Sequence, residues 1–137
     1  MQAVRTSGFD GDTPEARVRA TLEAYFDAFH SSDSERYADL WSYPASVWSH
    51  GEWWQIPDRE TCVETNRAYE QEARAQGMAG GRILRLDVRF LGRTSALATG
   101  LFSRLGTDGS TLATVEASYL LVEKDEQWKV VVCVLKD

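Results

Sequence analysis

From Ile83 to Leu135 the chain is a nearly continuous series of strand-like runs broken by short turn signals. Ile83–Leu91 alternates, with Leu84, Leu86, Val88 and Phe90 on one face and Arg85, Asp87 and Arg89 on the other. Gly92-Arg93 then turns into Ser95–Leu105, and Thr107-Asp108-Gly109 into Thr111–Glu123. Lys124-Asp125-Glu126 turns into Gln127–Leu135. Period-two runs bounded by Gly, Asp and Asn-type turn residues are the signature of meandering antiparallel strands. A sheet built this way has one apolar face that must be covered by another layer.

The first half of the chain supplies that layer. Thr13 is placed to cap a helix, Pro14 suits its first turn, and Glu15 suits the positive end of its dipole. Val18, Leu22, Tyr25, Phe26 and Phe29 follow at helical spacing, to an end near Ser31. After a Ser-Ser-Asp-Ser break, a short second helix carries Tyr37, Leu40 and Trp41, and Pro44 stops it. Val47-Trp48 and Trp53-Trp54 flank Ser49-His50-Gly51-Glu52, a hairpin pattern with His50-Gly51 as the two-residue turn. Asp58 caps a third helix that runs to about Gln76 and stops at Gly77, with Glu70 and Arg74 spaced to pair along it. Gly80-Gly81 closes the helical half. The expected architecture is α+β: three N-terminal helices packed on a strongly curved antiparallel sheet, with an early β-hairpin. Residues 1–12 read as a flexible tail and 13–137 as a single domain.

Charge and composition restrict the partners. A net charge of −6 with no basic stripe argues against nucleic acid, which needs concentrated Lys and Arg. It argues equally against an anionic membrane surface. No apolar run has membrane-spanning length, and the N-terminus has no apolar signal region, so a cytoplasmic location is expected. Cys62 and Cys133 are the only cysteines and read as reduced, packed thiols. His30 and His50 are the only histidines, and they lie far apart, so no metal site is expected. No Gly-rich phosphate loop or Gly-x-Ser-x-Gly nucleophile motif is present, and no cofactor is expected.

Three stretches, taken in order, resemble the NTF2-like (cystatin-like) superfamily, and its SnoaL-like branch in particular. They are the opening helix from Val18 to Phe29, the short helix with the Trp-bearing hairpin and third helix, and the ending Ala117 to Val131 with its charged turn and Trp128-Lys-Val-Val. The resemblance covers nearly the whole chain from Thr13. It implies a cone in which a curved sheet wraps the first helix and a pocket opens between them. Members include ketosteroid isomerases, scytalone dehydratase, limonene epoxide hydrolase and polyketide cyclases, as well as non-catalytic dimerisation and transport modules. Shared fold therefore leaves function open. Many relatives pair through the outer face of the sheet, which implies a homodimer.

The candidate site follows from the aromatic residues. Four of the five tryptophans fall between Trp41 and Trp54. Together Tyr25, Phe29, Tyr37, Trp41, Trp48, Trp54, Tyr69 and Phe102 can line an apolar pocket for a small apolar or aromatic molecule, or simply fill a core. His50 is the one imidazole beside them. Read as strand, Trp48, His50 and Glu52 share a face and form an acid–base pair. Read as turn, which Gly51 favours, His50 sits at an exposed tip. Glu116 lies in a strand between Thr114 and Ser118. It is a candidate general base if that face lines the pocket, and a routine strand carboxylate if it faces out. Arg85 and Asp87 repeat the Arg-x-Asp spacing of limonene epoxide hydrolase, but the apolar face opposite them places them outside, as a solvated charge ladder. The final strand, Val130-Val-Val-Cys133-Val, is apolar on both faces and lacks the His, Asp or Asn that catalytic relatives often carry there. Its outer face suits a homodimer interface. Two functions remain: cofactor-free isomerase, dehydratase, cyclase or epoxide-hydrolase chemistry in the pocket, or a non-catalytic ligand-binding or association module.

Overall fold

The computed structural model describes residues 13–136. The expected tail, residues 1–12, lies outside them. The elements run α1 (Pro14–His30), α2 (Ser34–Asp39), β1 (Trp41–Ser49), β2 (Glu52–Ile56), α3 (Arg59–Ala75), β3 (Met78–Phe90), β4 (Ser95–Gly106), β5 (Thr111–Lys124) and β6 (Gln127–Leu135). The six strands form one curved sheet in the order β2-β1-β6-β5-β4-β3. All neighbours are antiparallel except β1 and β6, which run parallel. The sheet is therefore mixed where a purely antiparallel one was expected. The hairpin joins the meander through its last strand.

Local chemistry sets the helix ends. The Thr13 hydroxyl accepts from Ala16 N–H at 3.1 Å, and the Asp58 carboxylate accepts from Thr61 N–H at 2.8 Å. Each satisfies an N–H that the first turn leaves without a partner. At the other end of α1, the Arg74 guanidinium reaches across from α3. It donates to the His30 carbonyl at 2.9 Å and to the Ser32 hydroxyl at 2.8 Å. Arg74 thus caps α1 instead of pairing with Glu70, as its spacing had suggested.

The core lies between α1 and the concave face. Val18, Leu22 and Ala28 of α1 are fully buried. The strands beneath carry small side chains, Ala96, Ala98 and Ala117, all at most 1% exposed. Small residues on the sheet let the helix approach closely, so larger ones (Leu121, Trp128, Val130) can fill the flanks at interior density. The Thr21 hydroxyl donates to the Trp128 carbonyl at 3.0 Å and fixes α1 over β6.

Three boundaries differ from the sequence expectation. Trp41 and Pro44 are not on or just past a helix: α2 ends at Asp39, and Trp41 opens β1 opposite Val130. Gly80-Gly81 does not close the helical half but lies inside β3. Leu84 is an extra residue in β3, because Ile83 pairs with Phe102 and Arg85 with Leu101. This bulge shifts the alternation by one. Ile83, Leu86 and Val88 reach the core, whereas Leu84 is 47% exposed. Arg85 and Asp87 face outward as expected, 3.6 Å apart and well solvated.

Candidate functional site

A cavity of about 280 Å³ opens between α1, α3 and the concave face of the sheet. Its walls are mostly aromatic. From α1 come Tyr25, Phe26 and Phe29; from β4, Phe102; from β5, Tyr119. Phe26 stacks on Phe102 with ring centroids 4.7 Å apart, and Tyr119 meets Phe102 edge to face at 5.7 Å. Tyr69 of α3 tilts against Phe29 at 5.7 Å. Helical spacing aims Tyr25, Phe26 and Phe29 from one side of α1. Period-two alternation aims Val115, Ala117 and Tyr119 from one face of β5.

Polar groups are few and uncharged at the back of this cavity. The Tyr37 hydroxyl donates to the Tyr25 hydroxyl at 3.0 Å, and the Tyr25 O–H in turn is directed at the Tyr119 hydroxyl. Burial holds the Tyr25, Tyr37 and Tyr119 phenols well above the usual tyrosine range, with nearby hydroxyl and thiol groups adding to it. They are neutral donors at physiological pH and not phenolate bases. Burial likewise pushes the Cys133 thiol up to about 12 and raises that of Cys62. Both cysteines are free and buried. These thiols are packing groups, since the thiolate is the reactive form.

On the α3 side, Asn66 lines the cavity and leads into a buried polar chain. Its amide donates to the Ser34 hydroxyl at 3.1 Å, and Ser34 donates to Glu70 Oε1 at 2.9 Å. Burial raises the Glu70 carboxyl, opposed by the Ser34 hydrogen bond. Glu70 Oε2 has no protein partner. The chain ties α2 to α3 behind the cavity wall.

The sequence-expected residues divide clearly. Tyr25, Phe29, Tyr37, Trp41, Tyr69 and Phe102 line the cavity. Trp48 and Trp54 do not. Trp48 pairs with Trp53 on the convex side of the hairpin, their rings 5.1 Å apart. Trp54 shares the side of Val47 but lies beyond the lining, 57% exposed at the sheet edge. His50 also stands apart. Ser49 pairs with Glu52, and both His50 and Gly51 have positive φ (54° and 77°), so the two form the hairpin tip. The strand reading, with His50 and Glu52 as an acid–base pair at the mouth, is overturned. Glu116 is on the convex face, out of phase with Val115 and Ala117. Its carboxylate binds the Lys136 ammonium at 3.2 Å. It is not placed as a general base in the cavity.

Sequence reasoning missed Phe26, Asn66, Arg104 and Tyr119. The signal was there: Arg104 follows Phe102 in phase on one strand, and Tyr119 follows Ala117 on the next. Among the described residues no carboxylate or imidazole lines the cavity, and no cluster of His, Cys, Asp or Glu could hold a metal.

A helix-lined cone with its cavity between α1 and the sheet defines the cystatin-like fold class. The sequence matches the family model described as NTF2-like protein (DUF6841) over residues 14–137. The chain belongs to this NTF2-like family. Solved structures agree on the fold. An NTF2-like protein with a cystatin-like fold from Novosphingobium aromaticivorans superposes with a TM-score of 0.74 at 14% identity, over 88% of this chain and 79% of that one. An NTF2-like protein of unknown function from Shewanella oneidensis gives 0.72 at 16% identity, over 91% and 100%. A putative calcium/calmodulin-dependent protein kinase II association domain from Xanthomonas campestris gives 0.68 at 17%, over 98% and 95%. At these identities the likeness speaks to fold alone. None of the curated proteins matches the sequence. No helix among the described residues is long and apolar enough to cross a membrane.

Proposed function

We propose that this chain binds a small, mainly apolar or aromatic molecule in the cavity between α1 and the sheet. The observation that supports this most is the wall itself: aromatic rings around about 280 Å³ of space, with few polar groups among them. That volume is near the lower end of ligand pockets and suits a compact ring system. Recognition rests on shape and apolar burial, not on proton transfer by a carboxylate or imidazole. A thermal-shift screen of compact ring compounds tests this. Ligands that bind the native state raise the melting temperature. A panel of one- and two-ring compounds is expected to yield hits, and a uniformly flat panel rejects the binding role.

We also propose that two copies associate through the convex face. Leu97, Leu120 and Val132 form one cross-strand row there, and Thr99, Ser118 and Val134 form the next. Trp48 and Trp53 extend the second row. The adjoining Arg85 and Asp87 carry opposite charges, which suits a self-complementary two-fold contact. Light scattering at micromolar concentration is expected to give about twice 15.4 kDa. Leu120→Glu is expected to return the mass to that of one chain with the far-UV circular dichroism unchanged. A wild-type protein already at monomer mass refutes the interface.

A further inference from the structure

One lining residue is unlike the rest. Among the described residues, Arg104 is the only charged side chain in the cavity wall. It follows Phe102 in phase on β4 and extends to Tyr69, a lining residue that is 44% exposed. One guanidinium nitrogen, Nη1, donates to the Tyr69 hydroxyl at 2.9 Å and passes the Met78 sulfur at 3.9 Å. The hydrogen bond places the fork at the rim beside α3. None of the ion pairs among the described residues includes Arg104. Arg19, Arg36, Arg59, Arg67 and Arg85 each face a carboxylate, whereas Arg17, Arg74, Arg82, Arg89 and Arg93, like Arg104, do not; of these, Arg104 alone lines the cavity among the described residues. Nε and Nη2 of Arg104 donate to no described group, although a guanidinium fork matches a carboxylate in two parallel hydrogen bonds.

We infer that the cavity's ligand is an apolar ring compound bearing one carboxylate, its ring among Phe26, Phe102 and Tyr119 and its carboxylate on the Arg104 fork at the mouth. The inference rests on the proposed binding role and names the ligand's class. The two ends of the cavity differ in the way such a molecule does. The back offers aromatic faces and neutral phenols, whereas the rim offers one cation without a counter-ion. An engineered apolar cavity of about 150 Å³ accepts benzene. The 280 Å³ here accommodates a larger ring system, of one or two fused rings. The ring must supply much of the affinity. The chain's net charge of −6 repels anions at long range, so a small hydrophilic anion gains little from a single fork.

The test is isothermal titration of 2-naphthoate and its uncharged analogue 2-naphthamide into the wild type, R104Q and R104K. The wild type is expected to bind 2-naphthoate about ten- to a hundredfold more tightly, the range for hydrogen bonds to a charged group. R104Q is expected to remove that preference, with most of the loss falling on 2-naphthoate. R104K keeps the charge but loses the fork, and is expected to fall between. Equal binding of both probes by the wild type overturns the carboxylate inference and leaves the apolar cavity standing. So does a preference that survives in R104Q. Binding of neither probe overturns the cavity role and the carboxylate inference together.

Discussion

Trp41→Ala is expected to lower the unfolding free energy by about 3–5 kcal/mol, the cost of emptying a large aromatic site in a packed core. Trp41 is 2% exposed. It opens β1 opposite Val130 of the parallel neighbour β6, and its ring lies 6.1 Å from Tyr25 and 6.2 Å from Tyr37. Truncation removes contacts to α1, to α2 and to the strand that joins the hairpin to the meander. The melting temperature should fall by about 10 °C or more, given the usual few degrees per kcal/mol for a chain this size. Trp54→Ala is the matched control. Its ring is 57% exposed, and a surface truncation stays within about 0.5 kcal/mol. Urea unfolding of both variants decides the matter. Similar losses would contradict the division of the Trp41–Trp54 segment into a core ring at Trp41 and an exposed edge at Trp54.

That division marks where the sequence stops being legible. Features set by neighbours in the chain could be read directly: the Thr13 and Asp58 caps, the stop near Gly77, the His50-Gly51 turn, and the order of three helices and meander. Each depends on a few adjacent residues, and their chemistry is local. Features set by distant pairing could not. Trp41 continues a helical pattern, yet it becomes strand because Val130, far along the chain, offers it a parallel partner. The extra residues Leu84 in β3 and Val131 in β6 shift the alternation, and the need for them comes from the curvature of the whole sheet. The same limit governs the site. Six of the eight expected aromatic residues line the cavity, since helix faces and strand phase already grouped them. Trp48 and Trp54 do not, because which side of a hairpin faces the helices depends on how it joins the sheet. The strand pattern around Glu116 leans only slightly to the outer face; what fixes it there is the phase of Tyr119, held by its edge contacts with Tyr25 and Phe102.

Gly80→Ala is expected to cost about 2–6 kcal/mol from two sources that add. The first is conformational. Gly80 has φ +109°, a region that side-chain-bearing residues rarely adopt, and forcing one there costs about 1–3 kcal/mol. The second is steric. An added Cβ would overlap His30 Nδ1 and sit 3.0 Å from the His30 Cα. The side-chain atom can rotate away, but the backbone atom is held by the Arg74 hydrogen bond to the His30 carbonyl. Overpacking of this kind costs about 1–3 kcal/mol. Gly80 is thus where the end of α1 touches β3, and Gly81 beside it lies 3.6 Å, at its own Cβ position, from the Phe26 ring. Both glycines line the cavity, so the same substitution should also weaken ligand binding by moving α1 outward. Denaturant unfolding of Gly80→Ala, His30→Ala and the double variant separates the two sources. His30→Ala removes only the rotatable part of the clash, so the double variant is expected to recover part of the loss and leave the conformational cost in place. If Gly80→Ala melts with the wild type, α1 does not press on β3 at this point, and the cavity must be wider there than its present walls allow.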